Sequence, residues 1–78
     1  MDLLIITPEK ELLHVFDVDL IDGIGTDGRF QILKDHADML ILLTPGWIIY
    51  KKNNIKKKVN LPLNNAVLRV KNNKIMII

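Results

Sequence analysis

Apolar and polar residues alternate with a period of two along much of the chain. Phe16, Val18 and Leu20 stand against Asp17 and Asp19, and Phe30 and Ile32 against Arg29 and Gln31. Successive strand side chains point to opposite faces, so this pattern predicts half-buried β-strands, and no stretch sustains the 3.6-residue period of a helix. Turn formers interrupt the runs at short intervals: Gly23-Ile24-Gly25, Asp27-Gly28, Pro45-Gly46, and the pairs Asn53-Asn54, Asn64-Asn65 and Asn72-Asn73. Asn tolerates the positive φ that a two-residue hairpin demands, so residues 47–52 are expected to pair with 55–59, and residues 66–71 with 74–78. Between the strands, Asp35 to Leu43 has room for one short helical turn. Many short strands with frequent turns predict a sandwich or barrel formed as one domain over residues 1–78, without linker or internal repeat.

Composition sharpens this picture. With 78 residues, 49% of them hydrophobic, the chain is too apolar to stay disordered, yet a domain of this size buries only about 60% of its unfolded surface. It has no cysteine, so a partner surface becomes the natural source of further stability. The longest apolar stretch, Met39 to Tyr50, is about half of the roughly 20 residues a spanning helix needs, and Pro45-Gly46 interrupts it. The N-terminus lacks the basic start and small-residue cleavage site of a signal peptide, which implies a cytoplasmic protein without direct membrane insertion. Net charge is only +2, but all 9 acidic residues lie at or before Asp38 while eight of the 11 basic ones follow it, giving halves of about −6 and +8. Two solvated faces, or a partner with complementary patches, would account for such polarity.

Candidate chemistry is sparse. Gly23, Gly25 and Gly28 fit the G-x-G-x-x-G spacing, but the strand-like Arg29 to Leu33 follows where a helix N-terminus must meet the pyrophosphate, so a glycine-rich turn is expected instead. Asp22 and Asp27-Gly28 lack the alternating oxygen ligands of a calcium loop, and Leu33 occupies the position of its bidentate Glu. Asp35, His36 and Asp38 form the one local acid and histidine cluster, in which His36 is expected to pin a loop or touch a partner; no metal and no cofactor are implied. The chain has no serine, and Thr7, Thr26 and Thr44 stand beside no evident base, so catalysis by the chain itself is not expected. Lys51, Lys52, Lys56, Lys57 and Lys58 would protect an exposed strand edge. They also define the alternative reading, a small basic barrel binding nucleic acid through the Lys51–Lys58 hairpin, although Trp47 is expected to fill the core rather than stack on bases.

Read in order, Ile5-Ile6-Thr7-Pro8-Glu9, Asp27-Gly28-Arg29-Phe30-Gln31-Ile32-Leu33, His36-Ala37 and Leu43-Thr44-Pro45-Gly46 resemble the epsilon subunit of the F-type ATP synthase. That family opens with a strand ending in T-P-E, followed by D-G-x-x-x-I-L-x-x-H-A-P-L and an L-x-P-G turn, and the resemblance covers essentially the whole chain. Lys34-Asp35 stands where the family usually has Pro-Gly, Asp38 replaces a proline, and Asn64-Asn65 replaces Gly-Gly. The last exchange is mild because Asn readily enters left-handed backbone, whereas losing Pro-Gly reshapes the loop before His36.

The resemblance implies an all-β fold, a flattened antiparallel sandwich of about ten short strands, here without the C-terminal helical hairpin that in many members restrains ATP hydrolysis and sometimes binds ATP. It further implies a non-catalytic piece of the central stalk, peripheral at the cytoplasmic face of the cell membrane, that couples the gamma subunit to the membrane rotor ring of c subunits during proton-driven synthesis. The family's ring-facing loop maps onto Asp27, Gly28, Arg29 and Phe30, and its gamma-facing positions onto Thr7, His36, Leu40 and Ile41. Where the family frequently has an acid facing the basic loop of the ring, this chain has Arg29, so the resemblance leads to the expectation of a compensating acid on the partner.

Overall fold

A computed structural model describes residues 1–61 and 66–78, and the Asn64-Asn65 turn lies outside the described residues. Eight strands are present there, with no helix: β1 (Asp2–Ile6), β2 (Glu11–Val15), β3 (Leu20–Gly25), β4 (Gly28–Leu33), β5 (Met39–Lys52), β6 (Ile55–Leu61), β7 (Val67–Lys71) and β8 (Lys74–Ile77). They form two sheets. The first, sheet A, runs β2-β1-β8-β7 and ends on the first part of β5; the second, sheet B, runs β4-β3, the second part of β5, and β6. Among the described residues all ladders are antiparallel except one, because β1 and β8 run parallel, with Leu3 opposite Ile75 and Ile5 opposite Ile77.

Both Asn hairpins form as expected, Lys52 pairing with Ile55 and Lys71 with Lys74. Asn53, Asn54, Asn72 and Asn73 all take φ between 50° and 64°, the left-handed conformation that a type I′ turn requires at both central positions. The inner faces meet in a core of aliphatic side chains. Leu3, Ile5, Val18, Ile21, Leu68 and Ile77 are completely buried, and no polar or charged side chain is buried among the described residues. A methyl group at Gly23 would lie 2.8 Å from the Phe30 ring, so the absence of a side chain there lets Phe30 pack across β3.

Three expectations fail on local detail. The helical turn at Asp35 to Leu43 is absent: Asp35 adopts φ 59° in a tight turn, and from Met39 the chain is a strand. An unbroken apolar run fits a helix or a strand equally well, and pairing with β7 decides for the strand. Pro45-Gly46 is not a turn between strands but a corner inside the 14-residue β5, where Gly46 takes φ 140°. Opposite this corner the β3 register jumps from Gly23 against Ile48 to Gly25 against Leu43, and the extra β5 residues let one strand leave sheet A for sheet B. Proline fits because it has no amide hydrogen to contribute to a ladder. Finally, residues 16–20 do not form one alternating strand. Asp17 at φ 55° breaks the pattern, leaving Phe16 exposed and Val18 in the core.

Candidate functional site

Strand alternation, which buries Leu3, Ile5, Leu68, Val70, Ile75 and Ile77, turns their neighbours to the outer face of sheet A. Cross-strand register aligns those neighbours in rows. His14, Leu4, Met76, Arg69 and Leu40 follow one another across β2, β1, β8, β7 and β5. Beside them runs a second row with Leu42, Val67 and Ile78, whose backbone is hydrogen-bonded to Val67, and with Ile6 on the Leu4 face of β1. Leu40 is 68% exposed, Leu42 59% and Ile78 57%, so this face presents contiguous large apolar side chains to solvent. A patch of that kind on a small domain is suited to contact with a protein, a membrane or a ligand. Across the same sheet runs an open groove of about 510 Å³, lined among others by Asp2, Leu4, His14, Phe16, Arg69 and Met76. At its edge the rings of His14 and Phe16 lie 4.4 Å apart.

The eight residues singled out from sequence fall in four places. Leu40 stands on the apolar face, whereas Ile41 beside it turns inward onto the core. Thr7 lies at one end of sheet A, in the β1–β2 connection, where its amide donates to the Lys10 carbonyl at 2.8 Å and its hydroxyl oxygen accepts from the Lys10 amide at 3.2 Å. His36 lies toward the other end. Its loop is clipped to the Asn72-Asn73 turn, since the Asp35 amide donates to Asn73 Oδ1 at 3.0 Å and the Asn72 amide donates to Asp38 Oδ1 at 3.3 Å. His36 Nδ1 donates to the Ala37 carbonyl at 2.8 Å, so the acid and histidine cluster serves to shape this loop. Thr7 and His36 are therefore not brought together, and Leu40 lies between their two ends.

Asp27, Gly28, Arg29 and Phe30 belong to the β3–β4 hairpin. Thr26 and Asp27 form its two-residue turn, and Gly25 opposite Gly28 closes it. Gly28 takes φ 116°, a conformation that disfavours any side chain there. Thr26 N–H donates to the Leu42 carbonyl at 2.8 Å, which sets this turn against the second apolar row. Arg29 differs from expectation. Its guanidinium makes a two-pronged ion pair with Asp22 of the adjacent strand, Nη2 to Oδ2 at 2.8 Å and Nε to Oδ1 at 3.2 Å, so the compensating acid lies in the same chain. The hydrogen bond from Arg29 holds the Asp22 carboxyl below its usual range and raises the guanidinium. Asp22 and Arg29 sit diagonally across a two-residue turn, a placement that hairpin geometry allows to be read from sequence.

The expectation for Trp47 also needs correcting. Its ring is only half-buried, and Lys58 Nζ lies 5.1 Å above its centroid, so the indole serves a cation of the neighbouring strand. The outer-face residues Leu4, Leu42, Val67 and Met76 escaped the sequence reading because they come from four strands, and only the register unites them.

Comparison with known proteins decides the family. The family model for the ATP synthase delta/epsilon chain beta-sandwich domain matches residues 1–78. The chain belongs to this family. An ATP synthase epsilon chain from Symbiobacterium thermophilum is 39% identical over 59 residues, covering 76% of this chain and 42% of that protein. Another from Geobacter sulfurreducens is 34% identical over 74 residues, covering 95% of this chain and 51% of that protein. The chain thus spans about half the length of these epsilon relatives. Among solved structures, a chain of the Tetrahymena thermophila mitochondrial ATP synthase central stalk and c-ring superposes with a TM-score of 0.74 at 18% identity, covering 97% of this chain and 60% of that one. At that identity the likeness establishes the fold alone.

Proposed function

We propose that this epsilon-type sandwich is a non-catalytic central-stalk module of an F-type ATP synthase that docks on the gamma subunit through the outer face of sheet A. The single observation that carries the reading is that face, which gathers Leu4, Leu40, Leu42, Val67, Met76 and Ile78 from strands distant in sequence. An apolar face on a rotor part is useful only when covered, and burial of such anchors supplies most of the energy of an interface. Thr7 and His36 border this face at its two ends, and Ile41 supports it from below. The mechanism is mechanical: a stiff sandwich holds the foot of gamma on the rotor ring of c subunits, and ion-driven rotation passes through it without chemistry on this chain.

In this arrangement the β3–β4 turn with Asp27, Gly28, Arg29 and Phe30 meets the ring, and the subunit stays peripheral to the membrane, on its cytoplasmic face in a bacterium. Among the described residues no helix is long and apolar enough to cross a membrane. With Arg29 occupied by Asp22, Asp27 at the tip is the carboxylate left to face the ring's basic loops. The register sets the lysine-rich end of the β5–β6 hairpin at the opposite end of sheet B from this turn, since Lys51 pairs with Leu20 at the start of β3 and Gly25 with Gly28 at its end. The lysines then point away from the ring. Nucleic-acid binding is disfavoured as well, because Lys58 already covers Trp47, the nearest ring on which a base could stack.

Calorimetry of the folded chain with the gamma subunit of the same organism tests the proposal. A one-to-one complex of submicromolar affinity, weakened by Leu40→Ala and Leu42→Ala, is the expected result. A folded chain that does not bind gamma defeats it.

A further inference from the structure

We infer that Arg69 sets the specificity of the sheet A face, and that the partner meets it with a carboxylate placed among apolar side chains. The inference rests on the docking role proposed above and adds the chemistry of the partner surface. The alternation along β7 buries Leu68 and Val70 and sends Arg69 outward, where the register sets it between Leu40 and Met76. It is thus a lone guanidinium in the middle of the apolar rows, with a large aliphatic side chain on either flank.

The chain's two arginines are treated in opposite ways. Arg29 is held by two hydrogen bonds to Asp22, whereas Arg69 makes no hydrogen bond or ion pair among the described residues. The acids that face the surrounding grooves do not neutralise it. Asp2 lies on the first strand and lines the main groove, Asp38 borders the other side and accepts the Asn72 amide, and neither is in ion-pair contact with Arg69. Lys71 and Lys74, facing the same groove, add two further positive charges.

A partner that covers Leu40 and Met76 must remove water from Arg69 as well. A desolvated guanidinium left unpaired opposes binding strongly, so a covering surface that binds tightly has to supply acceptors. The forked donors of arginine match the two oxygens of a carboxylate, and the local excess of lysine favours an anion over a neutral carbonyl. Surfaces that are equally apolar but carry a cation or nothing at that point are rejected, which is how one charge in an apolar interface selects among partners.

The test uses the full chain and gamma. Arg69→Met keeps the aliphatic bulk and removes the charge, and since the guanidinium has no partner among the described residues, thermal unfolding of the free protein should not shift. Affinity for gamma should fall about thirtyfold or more, the scale of truncating one member of a buried charge pair, and Arg69→Lys should recover only part of it. Arg69→Glu should abolish binding, and replacing one gamma carboxylate by lysine or arginine should restore it. If Leu40→Ala weakens the complex while Arg69→Met binds within twofold of the unaltered chain, the inference about Arg69 is overturned and the docking reading stands. If the unaltered folded chain does not bind gamma, both fall together.

Discussion

Sheet A turns Leu40, Leu42, Val67 and Met76 outward around one arginine that is unpaired among the described residues, whereas sheet B turns outward Asp22, Arg29, Lys51, Lys56 and Lys58, with Ile24 and Leu33 exposed among them. On sheet B the acids find cations within the chain: Asp22 pairs with Arg29 at 2.8 Å and Asp19 with Lys34 at 3.2 Å, while lysines line the free edge of β6. Those two carboxylates are held within the chain, and lysines on an edge strand keep other strands from pairing with it. The opposite face leaves large apolar side chains in water around a guanidinium that has no partner among the described residues. The two sides of one small sandwich are therefore distinguishable by what each leaves undone.

The sharpest way to break this contrast is to compare residues one position apart in the pleat of sheet A. Leu68 is completely buried, so Leu68→Ala should cost the free domain about 2–5 kcal/mol in urea unfolding. Leu40, 68% exposed, should lose almost nothing in the same assay when changed to Ala while losing affinity for gamma. A substantial stability loss at Leu40 would mean that the outer face is already covered in the free chain.

A smaller effect probes sheet B. Hydrogen bonds from Arg29 and from Lys34 hold the Asp22 and Asp19 carboxyls below their usual range. Because the folded-state value is depressed, the stabilisation is complete above the ordinary carboxylate pKa of about 4. It is lost as pH falls further, since the unfolded chain takes up the protons first. Asp22→Asn should lower stability at neutral pH by no more than about 1 kcal/mol, as the pair is near the surface, and should make the acid limb of a stability profile shallower. An unchanged acid limb would show that Arg29 is free to seek an acid on a partner after all.

The smallest expected change in stability comes from the edge. Replacing Lys56 and Lys58 by Thr should leave the unfolding midpoint nearly unchanged but increase self-association, seen by light scattering at high concentration, because the charges that keep another strand off β6 are gone. Should the protein remain monodisperse, the lysines have some other task and the contrast between the faces weakens.

How much of this was legible in the sequence follows from the range of the interactions. The Asn hairpins were readable because two adjacent residues carry the whole conformational demand. The ordered fragments around Thr7-Pro8-Glu9, Asp27-Gly28 and His36-Ala37 led to the family for the same reason. Pro45-Gly46 misled because a local turn signal cannot say whether the chain reverses or merely changes sheets, and that depends on β3 and β7 pairing with different parts of β5. The apolar outer face of sheet A was legible only at Leu40. Its other members are ordinary strand residues until the register brings β1, β5, β7 and β8 side by side.

The one parallel ladder has a consequence for how the protein is made. Residues 2–5 pair with residues 74–77, so β1 waits for β8, at the far end of the domain, before sheet A can be completed. Until then Leu3 and Ile5 have only the neighbouring β2 hairpin for cover. Folding of this sandwich is therefore governed by closure of a loop nearly as long as the domain, a topology that belongs to the slow, millisecond-to-second class of small proteins. Exposure of that first hairpin during synthesis makes it the segment for a chaperone to shield.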